Sequence, residues 1–112
     1  RNKTYEPEQL PEIFHSALPS QDVSYSRSDL LKYIAERVSE LMDHQTDLLF
    51  STLYRMDVSE SKIERVLSGQ TDELVPDGLA RLILERQEKR MKTRAQYELE
   101  NSAFKWTLDE EE

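Results

Sequence analysis

The stretch that decides the fold is DLLFSTLYRMDVSESKIERVL, residues 47–67. In its first half the apolar residues recur at helical spacing, which predicts a helix over residues 46–56. Asp57, with a glutamate three residues later, matches the capping box of a second, shorter helix, and Ser59 is the rival cap. Gly69 predicts the end of this second helix, because glycine readily adopts a positive φ. The stretch therefore predicts two short helices joined by a tight turn.

Two aromatic residues widen the apolar face of the helix over residues 46–56. Phe50 and Tyr54 form a second flank beside the main stripe, which includes Leu49 and Leu53. A helix that is apolar over more than half its circumference is either central to a bundle or makes two interfaces. Phe50 and Tyr54 are therefore candidate partner-binding residues.

The preceding segment predicts a helix over residues 27–42, with Ser26 or Ser28 as its N-cap. The polar residues 43–46 then interrupt the apolar stripe and include good cap residues, so we expect a tight turn there. The apolar spacing continues across this segment, however. One continuous helix over residues 27–57 is therefore the alternative.

The C-terminal part of the chain predicts a long helix over residues 76–100 that opens with a proline. Only its first third is clearly amphipathic. Within residues 101–112, Phe104, Trp106 and Leu108 alternate with polar residues, and the chain closes on DEEE. A period of two is typical of an extended segment with its apolar groups on one side.

The N-terminal residues 1–26 form an arm that three prolines interrupt. A short helix between these prolines would place Leu10, Ile13, Phe14 and Leu18 on one face. Four large apolar residues are too many to leave in water, so we expect the arm to dock on the helical body or on a second copy of the chain.

These patterns predict an all-α fold, a small bundle of three to four helices with extended or short-helical N- and C-terminal arms. The helical domain covers residues 27–100, the N-terminal arm residues 1–26, and the C-terminal apolar segment with its acidic tail residues 101–112. The arms either seal the core of their own chain or cross to another chain. We favour a homodimer with the last helix in the interface.

Two segments carry a resemblance to a protein family. Residues 53–62, LYRMDVSESK, resemble an LYRxDVxExK-like segment of small uncharacterised bacterial helical proteins, where it joins two helices. Residues 80–87, ARLILERQ, resemble a later AxLIxERQ-like helix in the same proteins. The likeness spans about residues 40–90. It implies a helix–turn–helix packing unit and a bacterial, cytoplasmic origin, and no activity is attached to it.

The sequence offers no pattern for catalysis or metal binding. Without cysteine it has no thiolate ligand or nucleophile. Glu40, His44 and Asp47 would share one face if the helix were continuous, but a chain with 23 acidic residues often shows such spacing by chance. His15 beside Ser16 is adjacency in sequence and not triad geometry. HExxH, GxSxG and glycine-rich phosphate loops are absent, so we expect no enzyme activity, no metal and no cofactor.

The one basic run is RQEKRMKTR, residues 86–94, with five cations and one glutamate, a local charge of 5 − 1 = +4. Arg86, Lys89, Arg90 and Arg94 are its candidate contact residues for an acidic protein partner or for a phosphate backbone. The alternative is a solvated helix whose cations pair with neighbouring glutamates. Phe104 and Trp106 complete the set of candidate partner-binding residues.

The composition sets the remaining limits on function. The chain has 112 residues, a net charge of −8 and a mean hydropathy of −0.78. Such an acidic chain is repelled by nucleic acid and by anionic membranes. The sequence has no apolar run of membrane-spanning length and no apolar signal core near its start, and the absence of cysteine fits the cytoplasm. We expect a non-enzymatic protein–protein interaction or adaptor protein, with a protein partner or a homodimer and no evident small-molecule substrate. The alternative is a nucleic-acid-associated regulator that uses residues 86–94.

Overall fold

The computed structural model describes the backbone of residues 4–6 and 9–110 and the side chains of residues 5–6 and 9–99. Its helices confirm the all-α prediction. The described α-helices, in chain order, are α1 (Arg27–His44), α2 (Thr46–Arg55), α3 (Glu60–Leu67) and α4 (Val75–Glu110). Before them lie strand β1 (Thr4–Tyr5), a 3-10 helix (Glu12–Ala17) and strand β2 (Tyr25–Ser26). The strands pair antiparallel, with Thr4 opposite Ser26 and Tyr5 opposite Tyr25.

The core forms where α1 packs along the first three turns of α4. The α1 residues buried here recur every three to four positions, as the sequence predicted, because that spacing places them on one face of a helix. Ser26 caps α1, since its Oγ accepts a hydrogen bond from the Asp29 N–H at 3.2 Å. The largest fully buried side chains are Phe14, Leu30, Ile34, Val38, Leu41, Leu49, Leu53, Val66, Leu79, Ile83 and Leu84.

The turn between α1 and α2 is confirmed, and it consists of Gln45 alone. Gln45 has φ −144° and ψ 59°, values outside the helical region, so the continuous helix over residues 27–57 is wrong. Helix α1 runs two residues beyond its expected end because Gln45 N–H still reaches the Leu41 carbonyl at 2.7 Å. Thr46 does not cap α2. Its Oγ1 donates instead to the Met42 carbonyl at 3.0 Å, in the preceding helix.

The preferred cap for α3 is wrong, because Asp57 ends the preceding helix. Asp57 has a φ of 64°. Its N–H bonds to the Tyr54 carbonyl at 3.0 Å, and the Val58 N–H bonds to the Leu53 carbonyl at 3.1 Å. This hydrogen-bond pair is a Schellman motif, in which the residue after the C-cap is left-handed. Ser59, the rival cap, accepts the hydrogen bond from α3 through its Oγ.

The two glycines serve different purposes. Gly69 ends α3 as predicted, with a φ of 78° and a second Schellman pair: its N–H bonds to Val66 and the Gln70 N–H bonds to Arg65. Gly78 lies inside α4, where a Cβ would come within 2.7 Å of Val66 Cγ1. The absence of a side chain at Gly78 therefore sets how closely α3 approaches α4.

The N-terminal arm docks on its own chain. Phe14 is fully buried, Leu10 and Leu18 are nearly so, and Ile13 is half-buried against the core. The Arg37 Nε in α1 donates to the Ile13 carbonyl at 2.8 Å and holds the 3-10 helix in place. The sequence left open whether this arm packs in cis or on another chain. The structure places it in cis.

Helix α4 is longer than expected. Its backbone continues to Glu110, ten residues beyond the predicted end, so the extended segment over Phe104, Trp106 and Leu108 is wrong. At about 1.5 Å per residue, its 36 residues span roughly 54 Å, close to the 61 Å length of the molecule. The side chains of these three residues lie outside the described part of the chain. Residues 92–99 are all exposed.

Candidate interaction surface

Arg86 lies where α4 extends beyond the core, and its side chain contacts the end of α2. Its Nε donates to the Met56 carbonyl at 2.9 Å, and its Nη2 lies 3.7 Å from Asp57 Oδ2. The guanidinium thus satisfies a carbonyl at the end of α2, where the helix dipole favours a cation. Asp57 itself gains little from this pair, because its side chain is 90% exposed.

Glu88, the acidic residue within the basic run, connects α4 to α1 and to β1. It accepts hydrogen bonds from Arg27 Nε at 2.9 Å and Arg27 Nη2 at 3.3 Å, a bidentate ion pair across to α1. The Tyr5 hydroxyl in β1 donates to the same carboxylate. Burial, and then the hydrogen bond to Glu88, raise the pKa of Tyr5 above 10.0. Arg86 and Glu88, in the first half of the basic run, therefore make structural contacts that hold α4 against the rest of the fold.

Helix α4 and the N-terminal arm enclose a concave surface with a volume of about 720 Å³, which we call the cationic groove. Residues 9–11 form one wall and residues 86–97 of α4 form the other. Among the described residues, three arginines line it, Arg86, Arg90 and Arg94, and no acidic residue does. Arg86 is paired with Asp57, so Arg90 and Arg94 are, within the described part of the chain, its two unpaired charges. Met91 and Tyr97 add apolar surface, whereas Leu10, which also lines the groove, is only 5% exposed.

Two arginines of the cationic groove are available to a ligand. Arg90 and Arg94 are exposed, and within the described chain neither forms an ion pair or a side-chain hydrogen bond. Tyr97 follows on the next turn and is 66% exposed. Their spacing of four and then three residues places all three along one line of the helix.

The other concave surfaces have mixed charge. Lys89 faces a groove of about 500 Å³ that also contains Asp57, Lys62 and Glu85. A groove of about 530 Å³ between α1 and α4 contains Arg81, which is already paired with two glutamates. These grooves contain residues of both charges and do not favour a ligand of either sign, whereas the cationic groove favours an anionic ligand.

The aromatic flank of α2 lies elsewhere. Tyr54 is 79% exposed, whereas Phe50 is half-buried and packs against the core. Neither residue lines the cationic groove. The candidates Phe104 and Trp106 fall in the part of α4 whose side chains are not described. Of the residues predicted to bind a partner, the structure thus groups Arg86, Arg90 and Arg94, and it separates them from the α2 flank.

The described residues offer no assembled metal site, since no three of their histidines and carboxylates are close enough to hold an ion. Glu40, His44 and Asp47 are not an exception, because the turn at Gln45 divides them between α1 and α2. None of the helices over the described residues has an apolar stretch long enough to cross a bilayer.

Comparison with family models, with curated proteins and with solved structures finds no match to this chain. Its function is therefore argued from the groove itself.

The sequence did not predict the wall of the cationic groove that residues 9–11 form. The sequence predicts that the arm with Leu10 docks on the helical body or on a second copy of the chain, but nothing in a single sequence places it beside Arg90 and Met91. One local signal was present. The spacing of Arg90, Arg94 and Tyr97 continues the line of the buried Ile83 and so aligns the basic run with the core-facing side of α4.

Proposed function

We propose that this protein is a non-enzymatic protein–protein interaction or adaptor protein, and that its cationic groove binds an acidic segment of a partner. One observation carries the proposal: in a chain of net charge −8, the described lining of this groove holds three arginines and no acid. Opposite potentials at an interface steer association and select partners.

The apolar lining favours a polypeptide partner. Met91 and Tyr97 offer surface that an amphipathic helix can cover, while Arg90 and Arg94 face its acidic residues. Arginine and tyrosine are also the residue types most often found at the centres of protein interfaces. We place the protein in the cytoplasm, which the absence of cysteine supports, and the resemblance of residues 53–62 favours a bacterial source.

The test compares two charge reversals of equal size in affinity capture from the native host. One variant carries Arg90→Glu and Arg94→Glu. The control carries Lys62→Glu and Arg65→Glu on the exposed face of α3. A partner protein should bind the wild type and the control but not the groove variant. A partner set that is the same for both variants would refute the groove as the binding surface.

The exposed cations also support a second candidate, a nucleic-acid-associated regulator. Lys89, Arg90, Lys92 and Arg94 are all exposed on one short helical stretch, with Tyr97 available to stack on a base. This function predicts an affinity for DNA or RNA that falls as salt rises and that is lost on changing Arg90 and Lys89 to Glu. A titration without salt-dependent binding would eliminate it.

A further inference from the structure

The acidic end of the chain cannot fill the groove of its own molecule. Residues 109–112 read DEEE, and the α4 backbone is helical to Glu110. Twenty residues of helix separate Glu110 from Arg90, which is roughly 30 Å at about 1.5 Å per residue. A straight helix holds its two ends apart, so an intramolecular fold-back that masks the basic run is excluded over the described backbone.

We propose that the occupant of the cationic groove is the acidic segment over residues 101–112 of a second copy of this chain, which α4 carries as far as Glu110. The two α4 helices would lie antiparallel, so that each copy fills the groove of the other. This inference rests on the proposed function, because it names the acidic segment that the groove binds.

Charge complementarity supports this occupant. Residues 101–112 contain four acidic residues and Lys105, a net charge of −3, against the unpaired Arg90 and Arg94 of the groove lining. The same segment contains Phe104, Trp106 and Leu108, which match the apolar surface that the groove offers. A parallel pairing would instead place the basic runs together and the acidic ends together, and like charges at an interface are unfavourable.

The helical repeat limits the register to steps of one heptad, and the charges select one of them. Positions 83, 87, 90, 94, 97, 101, 104 and 108 of α4 follow one another at alternating spacings of four and three. This is the spacing of a coiled-coil seam. An antiparallel pair with its twofold axis at Leu99 sets position 90 opposite position 108 and position 94 opposite position 104. Residues 86–90 of each copy then lie alongside residues 108–112 of the other, with Lys89 level with Asp109, and both seams stay in contact.

The exposure of α4 gives a further reason for a second copy. Residues 92–99 are exposed, including Tyr97 and Leu99, which is 70% exposed. A single polar helix gains little from propensity alone and depends on packing for its stability. The antiparallel pair supplies that packing along roughly 38 Å of helix, at about 1.5 Å per residue over residues 86–110.

Sedimentation equilibrium with compensating charge reversals tests the pairing. One variant carries Lys89→Glu and Arg90→Glu, and the other carries Asp109→Lys and Glu111→Lys, because residues 87–90 lie level with residues 108–111 in this register. The wild type is expected to sediment at twice the monomer mass of 13.2 kDa. Each variant should dissociate at least about tenfold more readily, since opposite charges become like charges at both ends. An equimolar mixture of the two should dimerise again, because the heterodimer restores both contacts.

Distances between spin labels test the orientation, and the absence of native cysteine makes single labels straightforward. In the proposed register, labels on Lys92→Cys are separated by roughly 21 Å along the helix axis and labels on Ala95→Cys by roughly 12 Å. A parallel pair would give the same separation at both positions, close to the ~10 Å between packed helices.

The outcomes separate this inference from the proposed function. A wild type that stays monomeric at millimolar concentration, or a variant mixture that fails to dimerise, would overturn the self-pairing. Partner capture that depends on Arg90 and Arg94 would then still stand as support for the groove. Loss of that capture together with an intact dimer would instead refute the adaptor function and leave the pairing in place. Circular dichroism serves as the control, and each variant should remain helical.

Discussion

The substitution Gly78→Ala tests how α3 and α4 pack. A Cβ at this position would lie 2.7 Å from Val66 Cγ1 and 3.0 Å from Cγ2. Carbon atoms in ordinary contact are about 3.5–4.0 Å apart, so the closer contact is about 0.8 Å too short. Val66 is 1% exposed and cannot turn away into solvent. The new methyl group must therefore shift α3 or strain the core.

Two opposing effects decide the magnitude. Replacing glycine by alanine inside a helix stabilises it by about 1 kcal/mol. Forcing an extra methyl group into a packed core costs about 1–3 kcal/mol. Against Val66 we expect Gly78→Ala to be neutral or to lower the free energy of unfolding by up to about 2 kcal/mol. In a Val66→Ala background the clash is gone, and the same change should stabilise by about 1 kcal/mol.

The measurement is the coupling between the two sites in a double-mutant cycle, from urea unfolding followed by circular dichroism. The expected coupling is about 1–3 kcal/mol, since the helix propensity of alanine cancels and the clash remains. Gly69→Ala is the matched control. No atom lies within 4 Å of its added Cβ, and its cost arises from φ 78° instead. If Gly78→Ala stabilises the wild type and the Val66→Ala variant equally, the packing argument is refuted.

Three other substitutions test separate parts of the structure by urea unfolding. Asp57→Gly should stabilise by roughly 0.5–1 kcal/mol because glycine adopts φ 64° without strain, and a destabilised variant would contradict the Schellman assignment. Phe14→Ala should cost about 3–5 kcal/mol, since a fully buried ring in the docked arm leaves a cavity, and a loss below about 1 kcal/mol would contradict docking in cis. The hydrogen bond and charge of Arg81 lower the pKa of Glu73, so ionised Glu73 stabilises the fold above the unfolded pKa near 4.5, and this contribution disappears as pH falls through the lower folded pKa. The stability advantage of the wild type over Glu73→Gln should therefore shrink from pH 7 towards pH 3, and a constant difference would contradict the pairing.

Local signals in the sequence were sufficient for most of the helices. The apolar spacing from Leu30 to Leu41 predicted the buried face of α1, and four polar residues marked the turn that Gln45 makes. Gly69 marked the end of α3. Each of these features depends on residues within one or two helical turns, so a single sequence contains the information that specifies them.

Long-range contacts account for what the sequence did not show. Asp57 matched a capping box, but the chain uses it at the end of α2, where Arg86 from α4 reaches the same carbonyl end. The alternation of Phe104 and Trp106 favoured an extended segment, whereas the strong helix formers before it allow α4 to continue. An alternating pattern over so few residues did not outweigh a helix that was already formed.

The candidate site was predicted in part. The basic run was visible as a charge pattern, and Arg90 and Arg94 emerge as its exposed members. The roles of Arg86 and Glu88 as structural contacts could not be predicted, because their partners lie some 30 and 60 residues away in the chain. The position of Leu10 in the wall of the cationic groove could not be predicted either, because it also depends on a contact between distant parts of the chain.

A site-specific photo-crosslinker tests the central claim, that the cationic groove is the surface that binds another polypeptide chain. A benzophenone amino acid replaces Tyr97 in the groove or, as the matched control, Tyr54 on the α2 flank, both of which are exposed. Crosslinking in the native host should join position 97 to another chain, either a partner or a second copy, and Arg90→Glu with Arg94→Glu should abolish the product. Crosslinks from position 54 with none from position 97 would contradict the account.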